Sequence, residues 1–229
     1  MPKPNVIVIS RANFDAINRA ACPFWNIIIK TARYRGFTVI DLKGDDATRA
    51  KVEDAIRTHD PICFLGLGHG SSDTFADQYG EVAFKACEND DMLAGRVVYL
   101  LSCLTGQVLG KSMIDKGCTT YMGYTKEAYF EYGTSESEWT FGMPIIVSFL
   151  SLVFGATAKE AYEIAVKWYN KMIDYWGGVN DPIVPIIVDH LVWNRDCLVL
   201  YGAENARITD KLPVKFFDEP LTPYHMNCS

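Results

Sequence analysis

Short apolar runs alternate along the chain with longer segments of helical spacing. The apolar runs, rich in β-branched residues, predict strands at residues 6–10, 37–42, 62–67, 97–102, 119–124 and 197–201. The longer segments predict helices at residues 14–34, 47–59, 82–93, 106–116, 136–153 and 158–175. Strands that alternate with helices are typical of βαβ units. Because the runs are apolar throughout, we predict an α/β fold whose mostly parallel sheet is covered on both faces.

Length and composition predict one globular domain over residues 1–229. Apolar residues make up 49% of the 229 positions, which is enough for a sizeable core. The Gly- and Pro-rich segment 177–185 predicts a connection, and the tail from about residue 212 is expected to be irregular. The most apolar stretch, residues 143–158, is shorter than the roughly 20 residues that a membrane span needs. It predicts a buried helix, and we expect no membrane association.

Charge and cysteine content exclude several classes of protein. The formal net charge is -6 and no basic run stands out, which argues against nucleic-acid binding. The seven cysteines form no CxxC pair and no zinc-ligand pattern, and no phosphate-binding glycine loop is present. We therefore expect no metal and no cofactor. Reduced thiols, and an N-terminal segment that predicts a strand and not a signal peptide, favour a cytoplasmic location.

Polar residues follow two successive predicted strands at the points where those strands end. The strand at 62–67 runs into Gly68, His69 and Gly70, and the strand at 97–102 runs into Cys103. Sites in open parallel sheets form outside the carboxyl ends of the strands. If these two strands are neighbours, about 5 Å apart, His69 and Cys103 reach the same edge of the sheet.

A cysteine and a histidine in this arrangement suit nucleophilic catalysis. The thiolate is the nucleophile, and an imidazole can exchange protons with it and with a leaving amine. A helix predicted to start near Thr105 would favour the thiolate of Cys103. The backbone N–H groups of Gly70 and Cys103 are candidates for an oxyanion hole. Each residue alone also fits a purely structural role, as a buried thiol or a turn glycine. Their joint placement at two successive strand ends favours a catalytic role.

The stretches around these residues resemble a known group of peptidases. FLGLGHGSSD, VVYLLSCLTGQVLG and the 34-residue spacing from His69 to Cys103 are similar to the clan of caspases, legumains, clostripain and gingipains, and most similar to the gingipain family. The resemblance implies a three-layer α/β/α sandwich of the caspase-hemoglobinase type. It implies a cysteine endopeptidase, a hydrolase with Cys103 as nucleophile and His69 as general acid. A peptide or protein would be its substrate. The oligomeric state stays open.

The segment after the fifth predicted strand offers candidates for substrate specificity. Glu127, Glu131 and Trp139 lie there, and in related peptidases a tryptophan in a comparable stretch can wall the primary pocket. A carboxylate at the pocket floor would select Arg or Lys by a charge-assisted hydrogen bond. Asp41, at the end of the second predicted strand, is a further candidate to line the pocket or orient His69. The alternatives are a solvated acidic loop and a strand-end cap.

Two other functions compete with the peptidase. The first is a catalytically silent module that keeps the caspase-like shape in order to bind or signal to a partner. The second is an unrelated doubly wound enzyme in which Cys103 is coincidental. A shared fold does not by itself decide between them, because one fold hosts many functions.

Overall fold

A computed structural model of the chain describes residues 4–210. The tail predicted to be irregular from about residue 212 lies outside these residues. The described part contains two sheets and six α-helices. The strands are β1 (Val6–Arg11), β2 (Thr38–Lys43), β3 (Cys63–Leu67), β4 (His69–Gly70), β5 (Thr74–Ala76), β6 (Val82–Lys85), β7 (Val97–Leu101), β8 (Thr120–Tyr124) and β9 (Leu198–Gly202). The helices are α1 (Ala16–Tyr34), α2 (Arg49–His59), α3 (Leu109–Asp115), α4 (Ser135–Val153), α5 (Ala158–Gly177) and α6 (Val184–Cys197).

The main sheet has six strands in the order β2-β1-β3-β7-β8-β9. All neighbouring pairs are parallel except the last, in which β9 runs antiparallel to β8. Every residue of β1, β3 and β8 is buried, as expected for strands covered on both faces. The mostly parallel sheet predicted from the sequence is confirmed.

Two apolar clusters fill the space between the sheet and its helices. The larger cluster lies between one face of the sheet and helices α1, α4, α5 and α6. The smaller cluster lies on the other face, against α2, α3 and a second sheet formed by β4, β5 and β6. The result is the predicted three-layer α/β/α sandwich. Helix α4 lies in the larger cluster with most of its residues buried, which explains the apolar stretch that begins at Met143. Within the described residues no helix is long and apolar enough to cross a membrane.

The prediction of a helix over residues 82–93 is wrong. Residues Val82–Lys85 form β6, which pairs with β5, and only a 3₁₀ turn follows at Asp90–Leu93. The Asn89 side chain accepts from the Lys85 N–H and donates to the Ala83 carbonyl. Asparagine competes in this way with helical hydrogen bonding. Cys87 is left-handed (φ 62°), which also interrupts a helix.

A helix that the sequence analysis missed covers Val184–Cys197. Pro182 and Pro185 indicated a connection, but Pro185 lies in the first turn of α6, where proline is favoured. Three large apolar residues are exposed here, Ile183 just before α6 and Ile186 and Trp193 within it. Because apolar residues occur on the exposed face as well, the sequence lacks the apolar–polar periodicity that would predict α6.

Candidate active site

The two strands that carry the predicted dyad are neighbours, as the sequence analysis expected. β3 pairs in parallel with β7, with Leu67 opposite Leu101. The Gly68 N–H extends this ladder by one bond, to the Leu101 carbonyl at 3.3 Å. His69 and Cys103 each follow two residues after this last register pair. Chain connectivity therefore delivers both residues to the carboxyl edge of the sheet.

Gly70 packs directly against the segment that contains Cys103. A methyl group added to its Cα would overlap the Ser102 hydroxyl, and would lie 2.6 Å from the Cys103 carbonyl oxygen and 2.7 Å from the Thr105 methyl group. Two of these obstacles belong to buried side chains, Ser102 and Thr105, and the third is backbone. The close approach of the two loops thus requires glycine at position 70.

The backbone N–H of Gly70 points away from its partner strand. The Ser71 N–H donates to the Thr74 carbonyl at 3.0 Å, and Gly70 lies opposite Phe75 in the β4–β5 ladder. Hydrogen-bonded and non-hydrogen-bonded pairs alternate along antiparallel strands, which makes Gly70–Phe75 a non-bonded pair. The Gly70 N–H therefore takes no part in the β4–β5 ladder.

His69 is held by a carboxylate that the sequence analysis did not single out. Its Nε2 lies 2.6 Å from Asp15 Oδ2, and its ring meets the Phe14 ring edge-on at 5.6 Å. Burial raises the pKa of Asp15, but hydrogen bonds from Asn18 and His69 outweigh it and hold this pKa below its usual value. An ionised Asp15 can only accept, so Nε2 is the nitrogen of His69 that carries the donated hydrogen in this contact.

Asp15 has this position because it is also the N-cap of α1. Its carboxylate accepts from the Asn18 N–H and the Asn18 side-chain amide, both at 2.8 Å. An aspartate just before a helix is a sequence signal for a cap. The local sequence gives no signal that Asp15 contacts His69, which lies 54 residues later. That contact depends on β1 lying beside β3.

Cys103 is partly buried, and the loop after β8 contacts its sulfur. The Ala128 N–H donates to Cys103 Sγ at 3.4 Å. Burial raises the pKa of the Cys103 thiol, the Ala128 bond opposes this, and the Glu127 carboxylate adds to the rise, so the net pKa is above its usual value. The raised pKa favours the neutral thiol over the thiolate.

The helix expected to begin near Thr105 does not lie at Cys103. Turns occupy residues 105–108, and α3 begins only at Leu109 and is seven residues long. Leu104 is left-handed (φ 64°), and its N–H donates to the Lys126 carbonyl. These turns displace the helix N-terminus from the thiol, so the expected helix-dipole contribution to the thiolate is a wrong prediction.

The specificity candidates lie in different surroundings. Glu127 is exposed and acts electrostatically on Cys103, whereas Glu131 pairs with His190 Nδ1 at 2.7 Å. Trp139 packs edge-on against Phe24 at 5.3 Å, beside the larger apolar cluster. Of these three, Glu127 is the one whose carboxylate raises the pKa of the Cys103 thiol.

Asp41 lies at the carboxyl half of β2 and is paired with Arg11. The Arg11 guanidinium donates two hydrogen bonds of 2.7 Å to the two carboxylate oxygens, and a third of 2.8 Å to Asn26. The Arg11 side chain is 5% exposed, so this bidentate pair neutralises a buried cation at the end of β1. The partner of Asp41 in this structure is thus Arg11, while His69 has Asp15.

Comparisons with known proteins reveal the fold family. No protein-family model matches the sequence, and no curated protein matches it. Among solved structures, the complex of the pro- and mature domains of RgpB from Porphyromonas gingivalis matches with a TM-score of 0.58 at 12% identity, covering 87% of this chain and 47% of the other. The Arg-specific cysteine proteinase gingipain R matches with a TM-score of 0.55 at 12% identity, covering 91% and 48%.

Caspase-1 from Spodoptera frugiperda aligns over 86% of this chain and 85% of its own, at 14% identity and a TM-score of 0.48. The chain spans about half the length of the two gingipain chains that it matches. At 12% identity the likeness to the two gingipain chains shows the fold alone, and the expectation drawn from the sequence motifs is confirmed at that level. The chain has a caspase-like α/β/α fold, of the kind found in the gingipains.

Proposed function

We propose that the protein is a cysteine peptidase that hydrolyses peptide bonds with Cys103 as nucleophile and His69 as its proton partner. The observation that carries the proposal is the seating of Gly70 against Ser102 and Cys103, which joins the two loops at one edge of the sheet. The contact between His69 and Asp15 supports it, because a base oriented by a third group is a signature of activated nucleophiles.

The proposed reaction uses two atoms, the sulfur of Cys103 and Nδ1 of His69. The thiol proton moves to Nδ1 as the sulfur attacks the peptide carbonyl carbon. The C–N bond then breaks, and Nδ1 returns that proton to the leaving nitrogen, which leaves a thioester. Water attacks the thioester, Nδ1 takes one water proton, the C–S bond breaks and the sulfur regains its proton. The carboxylate of Asp15 stabilises the imidazolium formed in each half.

The oxyanion that forms in both halves needs hydrogen-bond donors close to the sulfur. We assign this role to the N–H groups of Gly70 and Cys103, as the sequence suggested. The Gly70 N–H is not used in the β4–β5 ladder, and its residue contacts the Cys103 loop. Donors fixed in place before the reaction cost no reorganisation when the negative charge develops.

Labelling with a peptide that carries a thiol-reactive group tests the proposal. We expect stoichiometric modification of Cys103, with the rate falling about a hundredfold or more in His69→Ala because the imidazole no longer accepts the thiol proton. Intact-mass and peptide mass spectrometry locate the adduct. Cys87, which is exposed and free, is the internal control. Equal labelling of Cys87 and Cys103, unaffected by His69→Ala, would contradict a catalytic dyad.

One observation favours a silent binding module as the second candidate. The raised pKa of Cys103 describes a thiol that is not activated in the resting protein. A module of this kind would bind peptides without cleaving them and would tolerate Cys103→Ser with unchanged affinity. The same labelling experiment separates the two functions, because a module gives no His69-dependent reaction.

For specificity, we propose that Glu127 favours a basic residue, Arg or Lys, next to the cleaved bond. Of the acidic candidates, Asp41 and Glu131 already have cationic or imidazole partners, whereas Glu127 is exposed and close to Cys103. In Glu127→Gln we expect kcat/KM for Arg and Lys substrates to fall about tenfold relative to neutral substrates, because a charge-assisted bond is lost.

A peptide library read by mass spectrometry measures this preference. Glu163→Gln, which removes a surface carboxylate from α5, is the matched control and should leave the preference unchanged. An unaltered preference in Glu127→Gln would remove Glu127 from the specificity site, and a native preference for acidic or apolar residues would remove the basic specificity itself.

A further inference from the structure

The loop that contacts Cys103 is tied to α6 by a buried asparagine. The Tyr129 N–H donates to Asn194 Oδ1 at 2.9 Å, and Asn194 Nδ2 donates to the Tyr129 carbonyl at 2.7 Å. Tyr129 immediately follows Ala128, whose N–H contacts the Cys103 sulfur. Asn194 is 2% exposed. One side chain therefore fixes both polar groups of the backbone unit next to the sulfur contact.

Two further side chains of α6 contact the same loop. Trp193 Nε1 donates to the Glu127 carbonyl at 2.9 Å, and the His190 ring stacks on Tyr129 with a centroid distance of 4.0 Å and an angle of 5°. His190 also pairs with Glu131. Contacts from three α6 residues thus span the loop from position 127 to position 131.

Asn194 is itself fixed from the core side. Burial raises the pKa of Tyr169, and a hydrogen bond with the Asn194 side chain partly opposes that rise. The Tyr169 hydroxyl lies 3.0 Å from the hydroxyl of Tyr124, the last residue of β8. These buried tyrosines connect Asn194 to the strand from which the loop emerges. A buried amide that is hydrogen-bonded on both its oxygen and its nitrogen is held in one orientation.

We infer that α6 acts as a clamp that holds residues 126–131 over the Cys103 thiol, with Asn194 as its positioning residue. The inference rests on the proposed function, since it concerns how that nucleophile is covered and presented. The loop supplies the Ala128 N–H and Glu127, and its position contributes to the burial of the thiol. Burial and the Glu127 charge both raise the pKa of the Cys103 thiol, and the bond from the Ala128 N–H lowers it. Release of the loop removes all three effects, and because burial is the largest of them the thiol pKa should fall.

Asn194→Ala should therefore make Cys103 more reactive toward a small alkylating agent and less effective toward peptides. We expect alkylation of Cys103 by iodoacetamide at pH 7 to accelerate about fivefold or more, because both exposure and thiolate fraction increase. Hydrogen exchange of residues 126–131 should accelerate with it. Cleavage of peptides should slow about tenfold, because the loop no longer supports the bound substrate.

The matched control is Asn89→Ala. Asn89 is also buried and also bridges a backbone N–H and a carbonyl, those of Lys85 and Ala83. It should lose comparable stability without any change at Cys103. Trp193→Phe removes one loop contact from an exposed position and should give a smaller acceleration of Cys103 alkylation.

The alkylation pattern decides the outcome without requiring a known substrate. Faster alkylation of Cys103 alone in Asn194→Ala supports the clamp even if the protein cleaves no peptide. Failure of the peptidase proposal is therefore distinguishable from failure of the clamp. Acceleration of the deeply buried Cys63 and Cys118 together with Cys103 would indicate general loosening and would overturn the clamp. An unchanged Cys103 rate in a folded Asn194→Ala protein would overturn it as well.

Discussion

Replacement of His69 by alanine is expected to lower peptide cleavage by about a thousandfold. General acid–base groups contribute roughly 10²–10⁴ to rate, and His69 serves in both halves of the proposed reaction. Asp15→Asn should give a smaller loss, about ten- to a hundredfold, because the hydrogen bond to Nε2 loses its charge. The graded loss arises because Asp15 acts only through the orientation and charge of His69.

We would measure kcat and KM of the wild type, His69→Ala and Asp15→Asn on one peptide that the wild type cleaves. His59→Ala is the control, since His59 lies in the last turn of α2, which leads into the amino end of β3. The loss in Asp15→Asn should lie mainly in kcat. Asparagine also caps helices, so Asp15→Asn should keep the cap of α1, and the melting temperature is measured in parallel to verify this. Full activity in a folded Asp15→Asn protein would exclude the carboxylate from the mechanism.

Gly70→Ala is expected to reduce cleavage by two to three orders of magnitude while the protein still folds. The added methyl group has no space beside the Ser102 hydroxyl and the Cys103 carbonyl oxygen, so the two loops must separate. Separation moves the Gly70 N–H away from the Cys103 loop, and loss of an oxyanion donor costs about 10²–10³ in rate. Overpacking should also cost about 1–3 kcal/mol of stability.

Gly177→Ala is the matched control for this substitution. Gly177 ends α5, and a methyl group there meets no atom within 4 Å. It should keep full activity and equal or slightly higher stability. If Gly70→Ala cleaved peptides at the native rate, the close contact of the two loops would have no part in catalysis.

The strand ends that carry His69 and Cys103 could be predicted because their signal is local. Apolar runs of five or six residues define buried parallel strands, and polar residues at their carboxyl ends reach one edge. Asp15 could be predicted only as a helix cap, because its contact with His69 depends on which strands are neighbours. The same limit applies to Asp41, whose bond to Arg11 joins residues 30 positions apart.

Elements that depend on side-chain bonding to the backbone were predicted poorly. Asn89 converts an apparently helical stretch into β6 and a turn, and Asn194 holds the loop over Cys103 from a helix that was not predicted. Asn89 bonds backbone groups four and six residues earlier in the same stretch, whereas Asn194 bonds the backbone of a loop 65 residues earlier in the chain. Propensity and periodicity contain neither set of bonds, since both depend on where one side chain points in the folded chain.

Cleavage profiling of the wild-type protein against Cys103→Ala is the most direct test of the central claim. A mixed peptide library is incubated with each protein, and new termini are identified by mass spectrometry. Wild type is expected to generate a set of related cleavages that Cys103→Ala lacks entirely and Cys87→Ala retains. Cleavage that persists in Cys103→Ala, or no cleavage by a wild-type protein whose Cys103 also shows no His69-dependent labelling, would contradict a peptidase built on this cysteine.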